Sequence, residues 1–271
     1  PMTIWKYEEV GHSQDATQRL AKMFDGKKYF DYPKPVGLIE RCLALYTDPD
    51  SIVLDFFSGS GTTAHSLFEL NVQDGGTRRF ILVQFPEKTA ENSPAQKDGY
   101  STICDIAKER IRRAGKEILE EEKIKQNDLF TDKHKKTIDI GFRVLKLDSS
   151  NMNDVFYTPN EFSEQTLFDE NIKSDRTDED LLFQTMLDLG IELSAKIDKK
   201  QVAGKNIYVV SDGYLIACFD AKVDEAVITE IAKLKPYYFV MRDSSLEKDN
   251  VADNFDQIFD EYSKDTIRKI L

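Results

Sequence analysis

The stretch IVLDFFSGSGTTAHSL, residues 52–67, constrains the fold more than any other part of the chain. A nearly unbroken apolar run from Ile52 to Phe57 stops at Gly59-Ser60-Gly61 and passes at once into Thr62, Thr63 and Ala64. Short apolar runs without alternation belong to parallel strands covered on both faces, so the pattern predicts a buried strand over 52–57. A helix is predicted over 62–70. A strand that breaks into glycines and restarts as a helix suits an anionic or adenosine-bearing ligand. The glycines let the backbone approach the ligand, and the unpaired N–H groups of the helix start offer positive potential.

The neighbouring sequence extends this unit. RRFILVQF (78–85) reads as a second buried strand, and residues 99–126 as a long helix. Strand, helix, strand, helix within about 75 residues implies an α/β domain with a parallel sheet and right-handed crossovers. Upstream, HSQDATQRLAKMF (12–24) predicts a short helix with Ser13 as its N-cap. FDYPKP (30–35) is held extended by its two prolines, because each disfavours the helical region for the residue before it. VGLIERCLALY (36–46) has helical spacing, and Asp48-Pro49-Asp50 ends it in a turn.

Beyond residue 127 the character changes. QNDLFTDKHKKTID is polar and reads as a linker, GFRVLKLD (141–148) as a new strand. Residues 151–190 hold ten acids against two bases, the composition of a solvated, loop-rich segment. IYVVSDGYLIACF (207–219) predicts a hairpin turning at Asp212-Gly213, a pair that tolerates positive φ. A helix (DEAVITEIAKL), a strand (PYYFVM) and a mostly helical tail follow. The expected organisation is a cofactor-binding domain over 1–127 and a smaller α/β domain over 138–271.

Composition bounds the function. With 271 residues, 40% of them hydrophobic, the chain can build one large or two modest domains. A net charge of −12 argues against a surface devoted mainly to gripping phosphates, without excluding a DNA-acting enzyme whose basic face lies elsewhere. The scattered Cys42, Cys104 and Cys218 form no metal-ligand spacing or disulfide framework, which fits a reducing cytoplasm. No apolar run reaches the roughly 18–20 residues that span a bilayer. The opening PMTIW, with Pro1 before Met2, reads either as an artificial boundary or as an internal start, and in both cases further sequence is expected upstream.

The glycine turn fits G-x-G-x-x-A with Ala64 in the last position, a pattern that also serves dinucleotides. A nicotinamide-dependent oxidoreductase therefore stays open on that pattern alone. No Gly-Lys-Ser/Thr is present, so this is not a nucleoside-triphosphate P-loop. Asp55 sits four residues before the first glycine, where it would repel a pyrophosphate but suit a cationic amine. Glu87 follows the second strand, where a ribose diol is caught. S-adenosyl-L-methionine has an ammonium, a carboxylate and a ribose, and meets all three features.

FDYPKPVGLIERCLAL followed by VLDFFSGSGTTAHSL resembles motif X followed by motif I of the DNA amino-methyltransferases. More specifically, the chain resembles the modification subunit of type III restriction–modification systems, in its carboxy-terminal portion. GHSQDATQRL, RRFILVQFPE, ICDIAKERI, GFRVLKLDSSN and VMRDSS extend the likeness over most of the chain. The resemblance implies a partial, Rossmann-like S-adenosylmethionine-dependent methyltransferase fold with a parallel-strand core, plus the second α/β domain. It implies an N6-adenine methyltransferase of the permuted kind. Asp55, Phe57, Ser58, Gly59, Ser60 and Gly61 would form the cofactor loop. Thr62 would cap the helix start and bond the methionine carboxylate, and Glu87 would accept the ribose hydroxyls. Phe30, Asp31, Lys34 and Pro35 would line the other side, while Phe56 reads as core and His65 as a helix residue beside the loop.

Methylating an adenine amine needs the base flipped out of the duplex and held by stacking and hydrogen bonds. In this family an Asp/Asn-Pro-Pro-Tyr/Phe motif does that work, and the chain contains no Pro-Pro pair. The catalytic motif and the target-recognition region would both lie upstream of residue 1. No catalytic or metal-ligating residue is therefore assigned, and the chain alone is expected to be inactive. A non-catalytic scaffold with a vestigial methyltransferase fold is the alternative. Expected partners are double-stranded DNA, mainly through the upstream part, a second copy as a homodimer, and the restriction (helicase–nuclease) subunit. The second domain reads as a subunit-contact module, its RDSSLEKDN stretch (242–250, with Arg242, Asp243 and Asp249) as a solvated loop rather than a nuclease site. Lys108, Arg110, Arg112, Arg113 and Lys116 read as the wet face of an amphipathic helix.

Overall fold

The computed structural model describes residues 4–126, 138–153, 171–245 and 249–271. The chain divides into two compact units, Pro1–Phe142 and Arg143–Leu271.

In the first unit three helices, α1 (Tyr7–Val10), α2 (Ser13–Met23) and α3 (Val36–Tyr46), precede β1 (Ile52–Asp55). Then come α4 (Thr62–Asp74), β2 (Arg79–Leu82), α5 (Pro94–Lys97) and α6 (Ile103–Gln126). The cap of α2 is His12, whose Nδ1 accepts the Gln14 amide, and not Ser13, which is already helical. Tyr32, before Pro33, has a φ of 55° instead of the expected extended backbone. β1 and β2 pair in parallel, with Val53 opposite Phe80 and Asp55 opposite Leu82. α4 makes the crossover between them.

Val53, Phe80 and Leu82 pack on Leu43 of α3, Leu67 and Phe68 of α4, and Ile111 and Ile118 of α6. These helices all lie against one face of the pair. The other face, Ile52, Leu54, Ile81 and Val83, is 51–58% exposed. This corrects the expectation of a strand covered on both sides: the composition is that of a fully buried strand, yet only one helical layer is present among the described residues. Phe56, expected in the core, is also exposed, because β1 ends at Asp55 and the chain turns outward.

A smaller cluster joins α2 to α6. Leu20, Phe24, Ala95 and Ile106 are buried there, with Phe30 and Tyr100 packed at the edge. Residues 138–142 lie on α6 without regular structure, Ile140 entering the notch at Gly115. The strand expected over 141–148 does not form, since those residues find no pairing edge. The expected linker falls largely in 127–137, outside the described residues.

The second unit has α7 (Asp178–Asp188), β3 (Ile197–Val202), β4 (Lys205–Val210), β5 (Leu215–Cys218), α8 (Glu225–Lys233), β6 (Tyr238–Met241), α9 (Asp249–Tyr262) and β7 (Ile267–Ile270). The sheet order is β3-β4-β5-β6-β7, antiparallel through the first three strands and parallel through the last three. Alternate residues of β4 serve opposite cores. Ile207 and Val209 join Ile216, Cys218, Phe239, α8 and α9, whereas Tyr208 and Val210 join Leu215, Ala217, Val240 and α7. The sheet is thus covered on both faces, as its apolar strands require.

The predicted hairpin is β4–β5, but its turn spans Ser211 to Tyr214, with Ser211, Asp212 and Gly213 all at positive φ. An unforeseen hairpin, β3–β4, turns at Ala203-Gly204. The acidic segment contains α7, started by a capping box between Thr177 and Asp180; residues 154–170 of it lie outside the described ones. The helical tail ends in β7, which the sequence reading missed.

Candidate functional site

The βα junction between β1 and α4 is organised by polar contacts. Gly59 and Gly61 have φ of 52° and 75°, left-handed geometry that other residues adopt with strain. A Cβ on Gly61 would meet Ile111 Cγ1 at 3.3 Å and the Ala107 carbonyl at 3.4 Å, so this glycine lets the loop lie against α6. A Cβ on Gly59 would stand 3.5 Å from the Phe30 ring.

Asp55 lies on the covered face of the sheet and reaches forward. One carboxylate oxygen accepts the Phe57 amide at 3.1 Å, the other the Thr63 hydroxyl at 2.6 Å. Gln84, just beyond β2, accepts the Gly59 amide at 2.7 Å, and the Ser58 amide donates to the Val83 carbonyl. The Gly61 amide donates to the Ser58 carbonyl, while those of Ser60, Thr62 and Thr63 have no acceptor among the described residues. The start of α4 thus presents free N–H groups at the positive end of a 13-residue helix.

Gly61 is the N-cap of α4, and no side chain caps it. The capping role expected of Thr62 is not realised, because its hydroxyl accepts from Arg110. The Arg110 Nη1 donates to Ser60 Oγ at 2.8 Å and Thr62 Oγ1 at 2.7 Å. Arg110 is only 2% exposed, which corrects its reading as a wet-face residue; Arg112 and Arg113 are more open and pair with Glu109. Burial and the charge of Arg19 bring the Arg110 guanidinium down to about 10, so it stays protonated at neutral pH. Its Nε has no partner among the described residues.

Behind the loop, His65 is buried on α4. Its Nε2 lies 3.0 Å from Glu69 Oε1 and 3.3 Å from Arg19 Nη2, and Arg19 pairs with Glu69. Burial lowers the His65 pKa.

The remaining predicted residues sit as follows. Phe30 is half-buried beside Gly59, and Asp31 is exposed and pairs with Lys28 at 2.7 Å. Lys34 is exposed, and Pro35 is the N-cap residue of α3. That segment is tied to α4 by Ser66, whose hydroxyl donates to the Val36 carbonyl at 3.1 Å. Phe57 is 84% exposed at the loop mouth. Glu87 is exposed; its backbone carbonyl accepts the Ile103 amide, and its carboxylate has no partner among the described residues. Sequence reasoning missed three residues: Gln84, Thr63 and Arg110. Gln84 was detectable as the first polar residue after an apolar strand.

In the second unit the Arg242 guanidinium donates to the Phe219 carbonyl, and no metal-ligating cluster occurs among the described residues. No described helix is long and apolar enough to cross a membrane.

Residues 1–116 match the DNA methylase family. The chain is 39% identical over 123 residues to the type III restriction–modification enzyme StyLTI Mod subunit of Salmonella typhimurium, covering 45% of this chain and 19% of that protein. It is 44% identical over 102 residues to the EcoP15I Mod subunit of Escherichia coli, covering 37% and 16%. Against the type II methyltransferase M.KpnI of Klebsiella pneumoniae it is 38% identical over 109 residues, covering 40% and 26%. The matched stretch is thus about a fifth or less of the type III relatives' length. Over its first 116 residues the chain is thus similar to the DNA methylases, and over a comparable stretch to part of the type III modification subunits.

Proposed function

We infer that the β1–α4 junction binds S-adenosylmethionine, and that the chain is the cofactor-binding portion of a site-specific DNA N6-adenine methyltransferase of a restriction–modification system. One observation carries this reading: free amides of Ser60, Thr62 and Thr63 gather behind two left-handed glycines, within a loop held from three sides by Asp55, Gln84 and Arg110. The donor set fits the ligand. The amides and the helix dipole favour its carboxylate. Glu87, exposed beyond β2, is free to accept ribose hydroxyls, and the Phe30 ring borders the glycines. Asp55, with both oxygens engaged, acts chiefly by shaping the loop. Phe57, Asp31, Lys34 and Pro35 form the rim.

When bound, S-adenosylmethionine supplies an electrophilic methyl group. The residues of this chain bind and orient it; a base-holding Asp-Pro-Pro-Tyr motif is not in the sequence, so the chain does not methylate DNA by itself. Double-stranded DNA, a second modification subunit and a restriction subunit are the proposed partners of the complete enzyme, with the second unit as a contact module. Calorimetric titration of S-adenosylmethionine into wild type and Asp55→Ala tests the reading. Binding to wild type that weakens in the variant supports it; equal heats in both, or none in wild type, overturn it.

A further inference from the structure

Arg110 stands out among the buried polar groups. It is 2% exposed, yet no carboxylate lies within ion-pair distance among the described residues. The charged groups facing it are Arg19 and Glu69, which pair with each other, and His65, held neutral by burial at neutral pH. One positive charge is therefore left over beneath the loop. A buried charge without its opposite is costly unless another group offsets it. Among the described residues its side-chain hydrogen-bond partners are the hydroxyls of Ser60 and Thr62, which flank the loop's second glycine. Both hydroxyls are taken by the guanidinium, and the amides of the same two buried residues have no acceptor among the described residues.

We propose that Arg110 is the positioning residue for the amino-acid end of the cofactor: it pins the glycine loop through Ser60 and Thr62 and sets an unbalanced positive charge under the amides that receive the carboxylate. The proposal rests on the cofactor reading above. It separates two contributions of one side chain, loop shape through the hydroxyls and charge through the guanidinium.

Two ligands distinguish them. S-adenosylhomocysteine carries the carboxylate, whereas 5′-methylthioadenosine has the same adenosine and sulfur without the amino-acid end. Arg110→Gln is expected to weaken S-adenosylhomocysteine about tenfold or more, as loss of a charge-assisted contact does, and to change methylthioadenosine binding far less. Arg110→Lys keeps the charge and is expected to retain the preference. Ser60→Ala with Thr62→Val frees the loop but leaves the charge, and is expected to weaken both ligands alike. Melting curves report folding separately, and Arg110→Lys stands in should the glutamine variant not fold. Equal weakening of both ligands in Arg110→Gln, or loss of the preference in a folded Arg110→Lys, overturns the proposal. A wild-type chain that binds neither ligand overturns the cofactor reading itself.

Discussion

The Thr63 hydroxyl donates to the Asp55 carboxylate at 2.6 Å, joining the last residue of β1 to the first turn of α4 across the glycine loop. The other oxygen of the same carboxylate takes the Phe57 amide. One side chain thus fixes both ends of the loop. Thr63→Val removes the donor while keeping the shape, and is expected to cost about 1–2 kcal/mol, since hydrogen bonds to charged groups exceed neutral ones. Urea unfolding of the two proteins checks this.

The two glycines should respond differently to alanine. Gly61 combines a φ of 75° with side-chain and backbone contacts at 3.3–3.4 Å from α6, so Gly61→Ala adds overpacking to backbone strain. A loss of roughly 2–4 kcal/mol is expected. Gly59 has its nearest neighbour at 3.5 Å and carries the strain alone, roughly 1–2 kcal/mol. Thermal melts of both variants give the order; an equal loss would show that α6 yields to the added methyl.

Acid sensitivity follows from His65. Burial lowers its pKa below the ordinary 6.5, so between that value and the folded-state one the unfolded chain binds more protons. Stability must therefore fall as pH drops below about 6.5. His65→Gln is expected to flatten this part of the profile, read as the urea midpoint at about pH 7 and about pH 5. A profile as steep as that of wild type would remove His65 as the cause.

Gly115 sits inside α6 because Ile140 approaches so closely; an added Cβ would come within 2.9 Å of Ile140 Cβ. Gly115→Ala is expected to push residues 138–142 off the helix, against alanine's advantage of about 1 kcal/mol in a helix interior. Faster amide exchange at 138–142, with the rest of the unit unchanged, would register it.

The bare sheet face should bind an apolar dye. Ile52, Leu54, Ile81 and Val83 each forgo part of the roughly 1.5–3 kcal/mol that full burial of such a side chain brings. Leu54→Glu with Ile81→Lys is expected to abolish dye fluorescence while leaving the melt nearly unchanged, since neither residue packs inward. Unaltered fluorescence would place the dye elsewhere.

How legible was this in the sequence? The order β1–α4–β2–α6 and the left-handed glycines follow from local pattern, because apolar runs, helical spacing and Gly-Ser-Gly act over a few residues. What failed depended on distant partners. Ile52 and Leu54 have the composition of buried strand residues, and only the one-sided placement of α3, α4 and α6 leaves them open. Arg110 was indistinguishable from Arg112 on helical spacing, since what buries it is the loop fifty residues earlier. β7 and β3 were missed because their sequences, IRKI and IDKKQV, carry too little apolar alternation to signal edge strands.

Cys218 ends the middle strand of the five-stranded sheet, wholly enclosed, and burial pushes its thiol up to about 11. Only the thiolate reacts, so alkylating reagents reach this sulfur when the sheet opens and not before. Cys42 and Cys104 lie in the other unit and are only half-buried. The chain therefore carries its own clock for each half: the order in which its three sulfurs take up label under rising denaturant reads out which half comes apart first.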